Sequence, residues 1–507
     1  MADEGGKSRK APPAKVDLAA LKGRAEDAHK LFQALRKDGK APPRRTLAGE
    51  PTCEIGVRLK VVTPILGGGP KLRDVDRVDV IRVPTVRGHL RFWWRALYGH
   101  QYKSAQDLFE AESSLWGRAA NDGGGGRSEV EVSIPSHSPD RNQDLDRSNP
   151  LNHRSSSYAL WPARVQGADD NGHLPRRRPD TVTFTLCVVG PKSCEQVLQN
   201  AVRAWILFGG YGSRTRRGLG SLTIDGDEKE RRKWLPNLMA DAHEKATAEE
   251  LASNIFGMSH FKARILASEK GRNGREVPQL SSAQLYVDLK VSTGTEPGGH
   301  AITAWTTALG WLMSFRQDVQ TGARQPGNGH PGQSNWPEAD KIRHHYGGRF
   351  AHPARTQHTA VMAWPRAEFG LPIVGEIRGH NEPGQYTLRW KSTYGQHDRL
   401  ASPLILKALP LANENFLPCA LWLDRGHPNG ALVGLEGDVT ENGKTIKGVK
   451  SGTEAPFYRS VTAGSTDHPL LALNDTPLFA PLSRKATLRN AFCDWLVINK
   501  LAQRVAP

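Results

Sequence analysis

Apolar and polar positions divide the chain into short alternating runs and amphipathic runs, separated by long polar stretches. Thr52–Val62 (TCEIGVRLKVV) alternates and is rich in β-branched residues, which predicts a half-buried strand. It ends at Thr63-Pro64 and opens into the loop Gly67-Gly68-Gly69-Pro70. Past Pro84, the residues Leu90, Trp93, Trp94 and Leu97 recur at i, i+3, i+4 and i+7, the period of a helix with one buried face. At that spacing the two tryptophans read as core. Ala105–Trp116 predicts a second helix, ended by the Gly123–Gly126 tract. Ser128–Ile134 and Thr181–Val189 alternate as strands. Between them, 136–172 is polar and rich in Ser, Asn and Asp, an insertion or mobile loop. Cys194–Phe208 places Leu198, Ala201, Val202 and Trp205 on one helical face, and Ser221–Ile224 opens a short strand.

The order strand, helix, strand, strand, helix, strand is the split βαβ plan of a ferredoxin-like, RRM-like domain. After about residue 250 the pattern resumes less cleanly. Phe261–Ser268, Ala283–Val291, Leu371–Ile377, Leu404–Leu409 and Ala420–Leu423 predict strands. Ile302–Phe315, Trp336–His344 and Ala486–Val505 predict helices, and Gln320–Asn335 a Gly/Pro/Gln-rich loop. The expected class is therefore α+β, with two ferredoxin-like domains over 51–228 and 250–507 and long loop insertions. The first 50 residues are Pro- and Lys-rich and read as a basic mobile arm, in which Val16–Leu35 predicts a marginal helix.

Composition narrows the class. A chain of 507 residues exceeds one usual core, which agrees with two domains. No run approaches 18 apolar residues, and the opening MADEGGKSRK lacks the apolar stretch of a secretory signal. Five cysteines without a CxxC pair make a cysteine zinc site unexpected, and His344-His345 has no ligand geometry of its own. There is no HExxH, GxSxG or GK[ST] motif. The expectation is a cytoplasmic protein with no membrane partner, metal or cofactor.

Charge sharpens this. With 69 Lys and Arg against 52 Asp and Glu, the formal charge is +17, which points to a polyanion such as nucleic acid. The surplus is uneven: five in residues 1–50, five in Arg82–Lys103 and four in Gln196–Ile224, the last two segments holding no acidic residue. In the first internal segment Arg87, Arg91 and Arg95 stack at i, i+4 and i+8. Such a stack repels itself unless an anion offsets it, so it predicts phosphate contact. His89 lies among them, a structural or RNA-contacting residue before it is a general acid or base. The second segment reads Gly209-Gly210-Tyr211-Gly212-Ser213-Arg214-Thr215-Arg216-Arg217-Gly218-Leu219-Gly220. Glycines let a polyanion approach the backbone, and arginines offer bidentate forks to phosphate. Gly210 to Gly218 is therefore a candidate phosphate-backbone loop.

These blocks resemble the CRISPR RAMP superfamily, whose signature is an arginine-dense glycine loop after a helix, here GGYGSRTRRGLGS. The upstream block VTPILGGG with VPTVRGHLRFWWRAL is similar to one RAMP branch, the Cmr one subunits of type III-B effector complexes. SNWPEADKIR (Ser334–Arg343), FGLPIVG (Phe369–Gly375) and DRLASPLILK (Asp398–Lys407) follow in the order of that branch's second half. The resemblance implies two RRM-like domains around a basic cleft. It also implies guide (CRISPR) RNA, target RNA and other RAMP subunits as partners, at the end of the effector where the 3′ part of the guide emerges, without the cutting activity. The basic arm, the 136–172 insertion and the loops after 410 depart from it and inherit no role.

Three functions follow in order. The first is a non-catalytic RNA-binding subunit. The second is a metal-independent RNA-processing endoribonuclease using His89 as base. The third is a protein-docking surface made by the arm and by Leu488, Phe492, Trp495 and Leu496 of the terminal helix.

Overall fold

The computed structural model describes residues 49–69, 75–121, 124–150, 154–164, 173–238, 248–256, 278–289, 299–327, 332–346, 350–361, 363–379, 382–391, 399–424, 432–437, 439–441, 444–446, 455–456, 471–472 and 474–505. The basic arm with its marginal helix and the strand expected at Phe261–Ser268 lie outside them. Cys53–Pro507 is one compact unit.

Its first part runs β1 (Thr52–Val61), β2 (Ile65–Leu66), α1 (Val83–Tyr98), α2 (Ala105–Trp116), β3 (Arg118–Asn121), β4 (Gly124–Gly126), β5 (Glu131–His137), β6 (Leu145–Asp146), α3 (Arg154–Leu160), β7 (Arg176–Arg177), β8 (Thr183–Pro191), α4 (Glu195–Phe208) and β9 (Leu222–Ile224). There follow α5 (Glu228–Trp234), α6 (Ala248–Phe256), β10 (Gln279–Val287), α7 (Gly299–Gln317), α8 (Pro337–Tyr346), β11 (Ile373–Ile377), β12 (Gly384–Lys391), β13 (Leu404–Pro410) and β14 (Phe416–Asp424). The chain then forms β15 (Leu432–Gly437), β16 (Val439–Glu441), β17 (Lys444–Ile446), β18 (Ala455–Pro456), α9 (Leu488–Ile498) and β19 (Gln503–Val505).

Two sheets have the same plan. One has the order β5-β8-β1-β9 and the other β13-β14-β10-β19. Read across each sheet, the strands are second, third, first and fourth in chain order, with a helix after the first strand of the chain and another after the third. Alternation along the second sheet fixes the layers. Leu285, Val287, Ile405, Leu409, Leu417, Cys419 and Leu421 share a core with Trp93 and Leu97 of α1 and Trp205 of α4. The intervening Tyr286, Leu404, Leu406, Ala408, Ala420 and Trp422 pack with α7 and α9 on the other face. Helices α1 and α4 therefore lie between the two sheets, and their apolar stripes are wide enough to be covered on both sides. Trp93 and Trp94 are 2% and 4% exposed, as a core assignment requires.

Several expectations change. The helix ending at Trp116 is stopped by Gly117 at φ 74°, and Gly124–Gly126 form β4, which pairs with β3. The polar 136–172 stretch is in part ordered, with β6 and α3, although 151–153 and 165–172 are outside the described residues. The terminal helix is shorter than 486–505. Asn499 caps it, Lys500 takes a left-handed conformation, and Gln503–Val505 turns back as an edge strand on β10. Its residues Leu488, Phe492, Trp495 and Leu496 are buried in the core with Trp422, so they are unavailable for docking. A third sheet, β11-β12-β15-β18, and the charged helix α8 fill the insertions of the second part. Helix α8 is buried despite its charged Glu338, Asp340, Lys341 and Arg343 because each is paired: Lys341 with Asp475, Asp340 with Arg355 and His358, Arg343 with Glu382, and Glu338 with Arg366. Among the described residues no helix is long and apolar enough to cross a membrane.

Candidate nucleic-acid interface

The arginine stack on α1 does meet an anion, and the anion belongs to this chain. Glu112 of α2 is 5% exposed; its Oε1 accepts from Arg91 Nε at 2.6 Å and also from Arg95 Nη1. Arg87 donates to the carbonyls of Trp116, at the end of α2, and of Val130, the latter at 3.3 Å. The self-repulsion expected of the stack is thus offset by one carboxylate and a helix C-terminus. Desolvation, with Arg91 next to it, holds the Arg87 pKa below its ordinary value. The stack fastens α2 to α1, and 29% of the Arg91 and Arg95 side-chain surfaces stays exposed.

His89 is wedged between two rings. It stacks on Trp205 at 5.9 Å and 16°, and Tyr211 meets it edge-on at 6.4 Å. Its Nε2 is buried without a hydrogen-bond partner among the described residues. Burial pushes its pKa down to about 4, so the ring is neutral at physiological pH and a weak proton acceptor.

The glycine loop is tied to both sheets. Tyr211 N–H donates to Gly220 O (2.9 Å), Ser213 N–H to Leu66 O (2.7 Å) and Gly220 N–H to Pro64 O (2.9 Å). Thr63 Oγ1 donates to Gly218 O at 2.6 Å and accepts from Ser221 N–H at 2.8 Å. The Tyr211 ring is buried, and its hydroxyl accepts from Arg82 N–H at 2.8 Å. Within the loop Thr215–Arg217 forms one 3₁₀ turn, with Arg217 N–H and Gly218 N–H bonded back to Arg214 O and Thr215 O. Gly218 and Gly220 have φ of +74° and +64°. A Cβ at Gly218 would stand 2.5 Å from Leu406 O, and one at Gly220 1.9 Å from Tyr211 O. These glycines thus serve close approach of protein backbone, and many of the loop's N–H donors are already used.

Its arginines diverge. Arg217 Nη1 donates to Leu404 O at 2.9 Å, and the Arg217 carbonyl accepts from Trp305 Nε1 at 2.6 Å. Desolvation pushes the Arg217 pKa down to about 10, and it remains charged at neutral pH. Arg216 donates to Ser402 O and lies over the Phe92 ring at 5.3 Å. Arg216 and Arg217 therefore fasten the loop to β13 of the second sheet. Ser213 and Arg214 are exposed at the loop's tip, where Arg214 holds φ 59°. Gly210 is buried, and Gly212 and Thr215 are half-buried.

From β1 to β9, residues 58–223 match the RAMP superfamily. A relative, CRISPR system Cmr subunit Cmr1-1 of Pyrococcus furiosus, is 28% identical over 148 residues. That alignment covers 28% of this chain and 40% of the relative, so the chain spans less than half of it. The crystal structure of Cmr1 from Pyrococcus furiosus in its apo form aligns at 15% identity with a TM-score of 0.38, over 74% of this chain and 89% of that one. A chain of the cryo-EM structure of the type III-B Cmr-beta bound to cognate target RNA aligns at 12% identity and TM-score 0.33, over 73% and 96%. The chain thus resembles RAMP proteins and, among them, Cmr1.

The glycine loop leans on residues that charge counting passes over. Lys407, fully buried on β13, donates from Nζ to Ile206 O (2.9 Å) in the last turn of α4 and to Gly209 O (3.0 Å) of its C-cap residue. It caps that helix where the chain enters the loop. Burial pushes its pKa down to about 7. In sequence Lys407 interrupts the apolar run LILKALP, and that interruption was the available signal. Arg176 and Arg177 of β7 are also buried, bonded to Asp146 (2.6 Å) and Asp140 (2.8 Å). They pin the insertion to β2, beside the loop.

Proposed function

We propose that this chain is a non-catalytic RNA-binding subunit of a type III-B CRISPR (Cmr) ribonucleoprotein effector. It would hold the 3′ part of the guide RNA, the paired target RNA or both, beside other RAMP subunits. The observation that carries this reading is the glycine loop at the end of the RAMP-matching segment. Two sheets hold it rigid and it turns Ser213 and Arg214 outward. A rigid tip bearing a guanidinium binds a phosphate without first having to be ordered. Arg91 and Arg95 add partly exposed positive charge on α1. Arg87, His89, Gly210, Tyr211, Gly212, Thr215, Arg216, Arg217 and Gly218 act mainly as the frame of this surface.

The same reading treats 51–228 and 250–507 as two ferredoxin-like halves, supported by the shared order of their four-stranded sheets and by the helices at matching places. The test is binding of single-stranded RNAs of several sequences to the full chain and to Arg214→Ala. Affinity is expected to fall by a similar factor for every sequence. Unchanged affinity would overturn the site. Incubation with CRISPR repeat RNA in EDTA is expected to return intact RNA, and defined cleavage products would overturn the non-catalytic assignment.

A further inference from the structure

The insertion between β5 and β8 is not a passive loop. Its elements α3 and the 3₁₀ turn Trp161–Ala163 bury Ala159, Leu160 and Ala163 in the same core as Leu219 of the glycine loop and Leu66 of β2. Ala163 O also accepts from Leu174 N–H at 2.9 Å, ahead of β7, which pairs with β2. One side of this short segment is therefore docked against the base of the loop.

The other side carries aromatic and basic groups. Trp161 is 53% exposed, unusual for the largest apolar side chain, and the Arg164 guanidinium lies over its ring at 5.0 Å. One turn earlier, Tyr158 receives a hydrogen bond from Arg316 Nη1 of α7, whose guanidinium stands 5.7 Å from the Tyr158 ring. Two cation–aromatic pairs thus stand on this segment, Arg316 with Tyr158 and Arg164 with Trp161, and the second has the exposed indole.

We propose that Trp161, with Arg164, is a base-stacking platform for single-stranded RNA that continues the phosphate-binding surface of the glycine loop onto the insertion. The proposal rests on the RNA-binding reading above. Exposed indole paired with guanidinium suits a nucleobase: its flat face stacks on the ring while the cation neutralises the adjoining phosphate. An apolar side chain of a protein partner would cover the indole but leave the Arg164 charge without an anion.

The experiment compares the full chain with Trp161→Ala, Trp161→Phe and Arg214→Ala on a fluorescent oligouridine. Trp161→Ala is expected to weaken binding about tenfold, the loss typical of one stacked base. Trp161→Phe should recover most of it. The dependence on salt should not change, because stacking releases no counterion. A 5-iodouridine substituted in the oligonucleotide should crosslink to Trp161. If Arg214→Ala weakens binding while Trp161→Ala does not and no crosslink forms, the platform is overturned and the loop stands. If the wild-type chain binds no RNA, both readings fall. Because Trp161 is exposed, its replacement should leave the melting temperature within about 2 °C of wild type, a magnitude set by the small cost of surface substitutions.

Discussion

Lys407→Met tests how the two sheets hold the loop. The lysine is fully buried and faces Ile206 O of α4 and the carbonyl of its C-cap residue Gly209, and no carboxylate pairs with it among the described residues; Cys419, whose thiol burial pushes up to about 12, is a titratable group nearby. In the unfolded chain this amine keeps its proton to about pH 10.5, and in the folded chain only to about pH 7. Between those values the unfolded state binds more protons, so folding stability rises with pH. The slope for one proton is about 1.4 kcal/mol per pH unit, and the whole window amounts to roughly 5 kcal/mol. Methionine fills similar space and removes this dependence, but it leaves two helix-end carbonyls unpaired at about 1–3 kcal/mol each. The assay is urea unfolding of both proteins from pH 7 to 9.5, taking the difference at each pH so that shared titrations cancel. Wild type should gain on the variant steadily as pH rises. A difference independent of pH would refute the buried, largely neutral amine and the cap built on it.

Glu112→Gln should destabilise by about 2 kcal/mol, because Arg91 and Arg95 lose their common charge and repel along α1; thermal unfolding reads it, with salt partly rescuing the variant. Gly220→Ala should cost about 3 kcal/mol or more, since its Cβ would stand 1.9 Å from Tyr211 O at φ +64°, and reduced soluble yield with a lowered melting point would show it. Arg217→Met should lower stability without a change in the salt dependence of RNA binding, whereas a phosphate contact at this residue would alter that dependence.

Much of the fold can be read from periodicity. The period-2 runs give β1 and β8, short apolar runs give β13 and β14, and the i, i+3, i+4, i+7 stripe gives α1 with its tryptophans inward. What periodicity cannot supply is pairing between distant segments. Counting charges over Arg82–Lys103 finds no acid, yet Glu112 comes back from the next helix to meet Arg91 and Arg95. Three arginines in four residues look alike in sequence; the second sheet, through Ser402 and Leu404, takes two of them and leaves Arg214 at the tip. The 136–172 stretch reads as polar loop because its strand β6 is two residues long and is held through β7, whose Arg176 and Arg177 bond Asp146 and Asp140. The last strand hides behind the terminal helix for the same reason: QRV is too short to show alternation, and pairing with β10 alone defines it.

The central claim is that a rigid loop tip meets RNA phosphate through Arg214. The most direct measurement is RNA affinity against salt for wild type and Arg214→Ala, at matched stability. For wild type, log affinity should fall linearly with log salt, and the variant should show both weaker binding and a slope smaller by about 0.7, the value for one phosphate contact on a single strand. Equal slopes and equal affinities would contradict it.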